Sequence, residues 1–261
     1  MGPPPFRLDL PPRAPRPRRT GLTHVLDKGM PATQLAGVLE SCGAFVDVWK
    51  FGWGTAYVDP LLAGKLALLR AHDVLGCLGG TLLEVAWAQG RADEYLAWAR
   101  ELGVPSVEVS RGAVPMGEDD KDRLIRSAVE AGFVVLSEVG SKSASSQPLP
   151  DQWGKEVERD LDAGATWVLA EGRESGTVGI YDHAGRVRED VVDAVVDAGG
   201  VGRVVFEAPA KDQQAWFIRC FGSDVNLANV APAEILGLET LRLGLRADTI
   251  GLSRPPAVRR R

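Results

Sequence analysis

The chain has 261 residues, 45% of them hydrophobic and 25% charged, the balance of a globular protein with one large α/β domain or two small ones. Thirty basic residues against thirty-five acidic ones leave a formal charge of −5, which excludes a general electrostatic grip on nucleic acid or anionic lipid. A local cationic pocket for a small anionic substrate stays compatible with that total.

Met1 to Arg19 is rich in proline and arginine and has no apolar h-region. Its prolines favour an extended polyproline lead-in over residues 1–20. Nothing later offers the roughly 18 consecutive apolar residues a membrane span needs. The expectation is a cytoplasmic protein without nucleic-acid or membrane partners, with homo-oligomerisation left open. Cys42, Cys77 and Cys220 form neither a CxxC pair nor a zinc spacing, and read as small buried apolar residues. His24, His72 and His183 are scattered, so a histidine metal site is not expected.

From Gly21 the chain alternates short β-branched runs with amphipathic stretches. The predicted strands are Leu22–Asp27, Phe45–Phe51, Val74–Leu78, Ser106–Val109, Phe133–Glu138, Thr166–Glu171, Val201–Glu207 and Val225–Leu227. Most are continuous apolar runs, as in parallel strands buried on both faces. Helical stretches separate them at Thr33–Cys42, Pro60–Ala71, Asp93–Leu102, Asp119–Ala131, Glu156–Ala163, Arg188–Ala198 and Asp212–Phe221, and one more follows at Pro232–Leu245. Strict βα alternation predicts a single (β/α)8 TIM-type barrel over residues 21–252, with a solvated basic tail over 253–261. An open doubly wound sheet is disfavoured, because no glycine-rich dinucleotide loop follows the first strand.

Polar residues collect at the ends of these strands, which converge on one face of a barrel. The first strand ends in Asp27-Lys28-Gly29 and the second in Lys50-Phe51-Gly52-Trp53-Gly54-Thr55. Gly79-Gly80-Thr81 and Glu84 follow the third, and Glu108 and Ser110 end the fourth. Glu138 and Lys142, then Glu171 and Arg173, then Glu207, then Asn226 with Asn229, complete the set. Glycines there let backbone N–H groups approach an anion, while Lys28, Lys50, Lys142 and Arg173 supply positive charge. Asp27, Glu108, Glu138, Glu171 and Glu207 are oxygen donors suited to a divalent cation or to the lysines, with Glu138, Glu171 and Glu207 the leading metal candidates. The inventory fits a phosphorylated, carboxylated substrate bound with Mg²⁺. Gly79, Gly80, Thr81, Ser110 and Asn226 are expected to bind it alongside Lys50.

The motifs Leu26-Asp27-Lys28-Gly29, Lys50-Phe51-Gly52-Trp53-Gly54-Thr55, Gly79-Gly80-Thr81-Leu82 and Ser137-Glu138-Val139-Gly140-Ser141-Lys142 resemble those of the phosphosulfolactate synthases. So do Glu171-Gly172-Arg173-Glu174-Ser175-Gly176, Phe206-Glu207-Ala208-Pro209 and Asn226-Leu227-Ala228-Asn229, and the likeness runs from about Phe6 to Thr249. The resemblance implies a barrel enzyme that adds sulfite to phosphoenolpyruvate with magnesium, giving (2R)-phospho-3-sulfolactate. It implies Lys142 as the proton donor, with Lys28 and Arg173 beside it in the catalytic set. The family also includes plant heat-stress-associated proteins, and retention of the charged strand ends favours an enzyme here. One departure stands out: Ser110-Arg111-Gly112 replaces the Ser-Asp-Gly or Ser-Asn-Gly usual in relatives. An inward Arg111 would add an anion-binding group and admit a different nucleophile, whereas an outward one would change nothing.

Overall fold

Apolar runs become strands here because the chain can cover both of their faces, one with a barrel interior and one with helices. A computed structural model describes residues 6–141 and 148–252. In it β1 (Thr23–Asp27) is followed by α1 (Ala32–Cys42), and β2 (Val48–Phe51) by α2 (Thr55–Val58) and α3 (Leu62–Ala71). Next come β3 (Leu75–Leu78) with α4 (Gly80–Ala88) and α5 (Ala92–Glu101), then β4 (Ser106–Val109) with α6 (Glu118–Glu130). The second half pairs β5 (Val134–Val139) with α7 (Pro150–Ala163) and β6 (Trp167–Ala170) with α8 (Glu189–Gly199). It closes with β7 (Val204–Glu207), α9 (Lys211–Phe221), β8 (Leu227–Val230) and α10 (Ile235–Arg242). All neighbouring strands pair in parallel and β8 returns to β1, so the sheet is the closed eight-stranded barrel expected.

Residues paired across parallel strands share a face, and this sorts the side chains. Leu22, Val48, Cys77, Leu136, Leu169, Val205 and Ala228 pack together as the interior. Lys50 pairs with Cys77, Glu108 with Leu136, Glu138 with Leu169, and Glu207 with Ala228. These four charged side chains therefore also point to the barrel axis. The opposite faces carry residues such as Trp49, Phe51, Val107 and Val135, which meet Leu35, Leu39, Leu66 and Ile125 of the surrounding helices.

Three local readings need correction. A nine-residue helix, α4, that is not among the predicted helical stretches begins at Gly80 with Gly79 as its N-cap. Cys220 is exposed on α9 and Cys42 only half-buried, although Cys77 is buried as expected. Strand β8 begins at Leu227, two residues later than predicted, which moves the asparagines on either side of it.

The arginines of the lead-in are committed to the amino-terminal end of the barrel. Arg13 pairs with Glu239 at 3.0 Å and Asp224 at 2.8 Å, and donates to the Gly21 carbonyl. Arg16 donates to the carbonyls of Gly43, His72 and Asp73, and Arg18 pairs with Asp47. Arg242, fully buried beneath them, donates to the carbonyls of Leu22, Ser223 and Val225. Among the described residues no helix is long and apolar enough to cross a membrane.

Candidate active site

The carboxyl ends of the strands enclose a cavity of about 220 Å³. Its charged lining is Lys50, Glu108, Glu138, Glu171, Arg173, Glu174 and Glu207, with Leu26, Trp53, Gly80, Thr81, Ala113 and Asn229 between them. The alternation of β6 places Trp167, Leu169 and then Glu171 on the inner face, so Glu171 joins the glutamates of β4, β5 and β7. Five carboxylates thus face two cations among the described residues of the lining.

Lys50 is buried at the centre, 2.9 Å from Glu108 Oε1 and 3.6 Å from Glu207 Oε1. Burial opposes its charge, but Glu108, Glu207 and Glu138 outweigh that and hold the ammonium above the ordinary lysine range. Lys50 is therefore a fixed positive charge at neutral pH and a poor proton donor. Burial pushes Glu108 up from the ordinary carboxylate range, with Lys50 opposing the shift. Its second oxygen accepts the Gly80 N–H at 3.0 Å, tying β4 to the start of α4. Glu207 Oε2 accepts N–H bonds from both Gly172 and Arg173 at 2.9 Å, and Glu171 Oε1 accepts from Arg173 at 2.7 Å. The two glutamates thus hold the loop after β6, where Arg173 has a left-handed backbone at φ +56°.

Lys50, Gly80, Thr81, Arg173, Glu138, Glu171 and Glu207 line the cavity, as the strand-end reading expects. Lys28 stands at the rim, with an exposed side chain 3.7 Å from Glu174 and over the Trp53 ring. Gly79 lies behind the lining as the N-cap of α4, its N–H bonded to the Phe51 carbonyl. Ser110 is buried against the carboxylate of Glu84, which also receives the Ala113 and Val114 N–H groups and so fixes the β4–α6 loop. Lys142 lies outside the described residues.

Besides Gly79 and Ser110, two more residues are not where the sequence suggests. Asn226 precedes β8 and sits at the amino end of the barrel, where it accepts from the Leu22 N–H and donates to the carbonyls of Val201, Gly202 and Val204. It is a backbone clamp; Asn229, two residues beyond Leu227, takes the cavity position instead. Asp27 turns away from the axis, and its carboxylate accepts from Gly29, Met30 and Trp49. Arg111 points outward: its guanidinium meets Glu156 at 2.8 Å and Glu118 at 3.4 Å and leaves the cavity lining unchanged. The scattered spacing of the histidines gives no sign of where His24 lies. It is fully buried inside the barrel, 3.9 Å from Glu108, with its pKa lowered by burial and by Lys50.

The model of the (2R)-phospho-3-sulfolactate synthase (ComA) family matches residues 11–248. A phosphosulfolactate synthase of Methanothermobacter thermautotrophicus is 45% identical over 251 residues, covering 94% of this chain and 97% of that protein. One from Bacillus subtilis is 38% identical, covering 95% and 99% respectively. The Arabidopsis thaliana protein HEAT-STRESS-ASSOCIATED 32 is 25% identical, covering 88% of each chain. Among solved structures, a 3-hexulose-6-phosphate synthase from Salmonella typhimurium superposes with a TM-score of 0.55 at 14% identity, over 88% of this chain and 94% of that one. At that identity the likeness concerns the barrel alone.

Proposed function

The chain belongs to the (2R)-phospho-3-sulfolactate synthase family, and we propose that it is a lyase-class enzyme that adds sulfite to phosphoenolpyruvate with Mg²⁺, forming a carbon–sulfur bond. The observation that carries this reading is the ring of inward glutamates around Lys50 at the carboxyl end of the barrel. Such a gathering of oxygen donors suits an anionic substrate that arrives with a divalent cation.

The donor chemistry fits magnesium. Glu138, Glu171 and Glu207 offer only hard oxygen atoms, from three consecutive strands of one cavity. Among the described residues no three such groups converge closely enough to cage an ion by themselves. Magnesium commonly uses one or two protein carboxylates and takes its remaining ligands from water and substrate phosphate. When bound, it would neutralise charge developing on the substrate's oxygens.

The chain's own residues do the rest. Lys50, fixed in its charged state, provides a preorganised positive charge for an anionic group of the substrate. Arg173, set at the rim by its two glutamate-bound N–H contacts, offers a planar guanidinium to a second anion. Attack of sulfite on C3 of the enol phosphate forms the C–S bond and drives the electron pair of the double bond toward the carboxylate. A proton then reaches C2. Lys50 is too strongly held in its charged form to supply it, and by family resemblance the donor is Lys142.

The test is direct. Pure protein incubated with phosphoenolpyruvate, sulfite and Mg²⁺ should yield phosphosulfolactate by mass spectrometry, and chelation should abolish the product. Lys142→Met should lower kcat by roughly 10²–10⁴ with little change in KM. No product in the presence of all three components refutes the substrate assignment.

A further inference from the structure

Strand β8 does not keep step with β1. Thr23 pairs with Leu227 and Val25 with Val230, so two residues of β1 span the same distance as three of β8. The extra residue makes a bulge, and within it Asn229 adopts a left-handed backbone at φ +56°. Ala228 packs into the barrel interior beside Leu169 and Val205. Simple alternation would turn the next side chain outward, toward the helices. The bulge overrides it: Asn229 lines the cavity, buried.

Its amide is costly where it stands. A non-glycine residue in the left-handed region is strained, although asparagine tolerates it better than most. No hydrogen bond among the described residues holds either end of the amide: Oδ1 is buried without a partner, and Nδ2 is left to donate into the cavity that Asn229 lines. Asn226, on the other side of Leu227, instead makes four hydrogen bonds to the backbone. Two asparagines three positions apart are thus used in opposite ways, one bonded to the fold and one held out toward a ligand.

We infer that the Asn229 side-chain amide is a substrate-binding and positioning group, donating an N–H to an anionic oxygen of the bound substrate. The inference rests on the reading of the substrate as phosphoenolpyruvate. A neutral donor suits the place. It binds an anionic oxygen without adding a charge that the surrounding glutamates would capture, as they capture Lys50.

Two variants test it. Asn229→Gly keeps the left-handed backbone and deletes the amide; Asn229→Asp keeps the shape and replaces the donor with a carboxylate. The expected result is a KM for phosphoenolpyruvate raised about 10-fold in the first and roughly 100-fold in the second, with little change in melting temperature. Wild-type KM and kcat in Asn229→Gly overturn the inference while leaving the reaction intact. If that variant does not fold, wild-type kinetics in Asn229→Asp overturn it equally. If the wild-type enzyme shows no turnover, the reaction reading fails and the inference is judged by binding. Inorganic phosphate or pyruvate should then raise the melting temperature of the wild type and not of Asn229→Gly. The anion whose effect disappears identifies the group contacted, and equal or absent shifts in both proteins overturn the inference.

Discussion

At the amino end of the barrel Arg13 lies between Glu239 and Asp224, Arg18 meets Asp47, and Arg242 is wrapped by three carbonyls. At the carboxyl end Glu108, Glu138, Glu171, Glu174 and Glu207 share a cavity lining with Lys50 and Arg173. Charge is buried at both ends, but its surroundings differ: at the amino end ion pairs and carbonyls tie it into the fold, with the Arg242 pKa pushed down to about 9 by burial and by Arg13. A paired buried charge at best repays its own desolvation, but breaking the pair strands its partner, so such groups are committed to the fold and leave little with which to bind. In the cavity the five carboxylates and two cations of the described lining instead face a space open to a substrate. A barrel can therefore separate the two uses along its axis.

The hardest test of this contrast is Lys50→Met. Loss of the central charge leaves Glu108 and Glu207 facing each other in a buried site, and kcat/KM should fall at least about 10³-fold. Stability should also drop, by about 3 kcal/mol in urea unfolding. Because the pKa of Lys50 is raised in the folded state, its stabilising contribution is complete below the ordinary lysine range. It should be lost only as pH rises above that range, so the wild-type and variant unfolding curves converge at high pH and not near neutrality.

Arg173→Met should act mainly on substrate binding, raising KM about 10²-fold with a smaller change in kcat, since an anion contact is lost in ground and transition states alike. A change confined to kcat would instead place Arg173 at the transition state. At the other end, Arg13→Met leaves the buried Glu239 without its partner and should cost about 3 kcal/mol in chemical denaturation. Its kcat and KM at 25 °C should match the wild type; altered kinetics would show that the two ends are coupled. The smallest effect is expected from Arg111→Asn. The Arg111 pair with Glu156 is partly exposed, and Glu156 keeps Lys121 at 2.9 Å. Stability should change by less than about 1 kcal/mol and turnover by less than twofold.

The strand-end residues were readable because a parallel strand buried on both faces is spelled as an apolar run, and its polar residue marks where the run stops. Ser106–Val109 needed no adjustment, and Lys50, Glu138, Glu171, Arg173 and Glu207 lie in the cavity they were expected to form. The asparagines of the last strand were harder. Val225-Asn226-Leu227 and Leu227-Ala228-Asn229-Val230 both read as a strand with one amide. The choice between them depends on which carbonyls lie nearby, among them Val201 and Val204, more than twenty positions away. Asp27 is a similar case: its pairing with the outward Phe51 and the approach of Trp49, both from β2, turn its carboxylate to the helices.

The sequence by itself determined the alternation of strands and helices, the closure it implies, and the types of side chain gathered at one end, because periodicity and punctuation are local properties of the chain. Tertiary structure decided which of those side chains face the axis, which way Arg111 turns, and which asparagine clamps backbone and which enters the cavity. These choices depend on strand register, on a bulge in β8 and on the nearest opposite charge. Each is set between segments that meet only when the barrel closes.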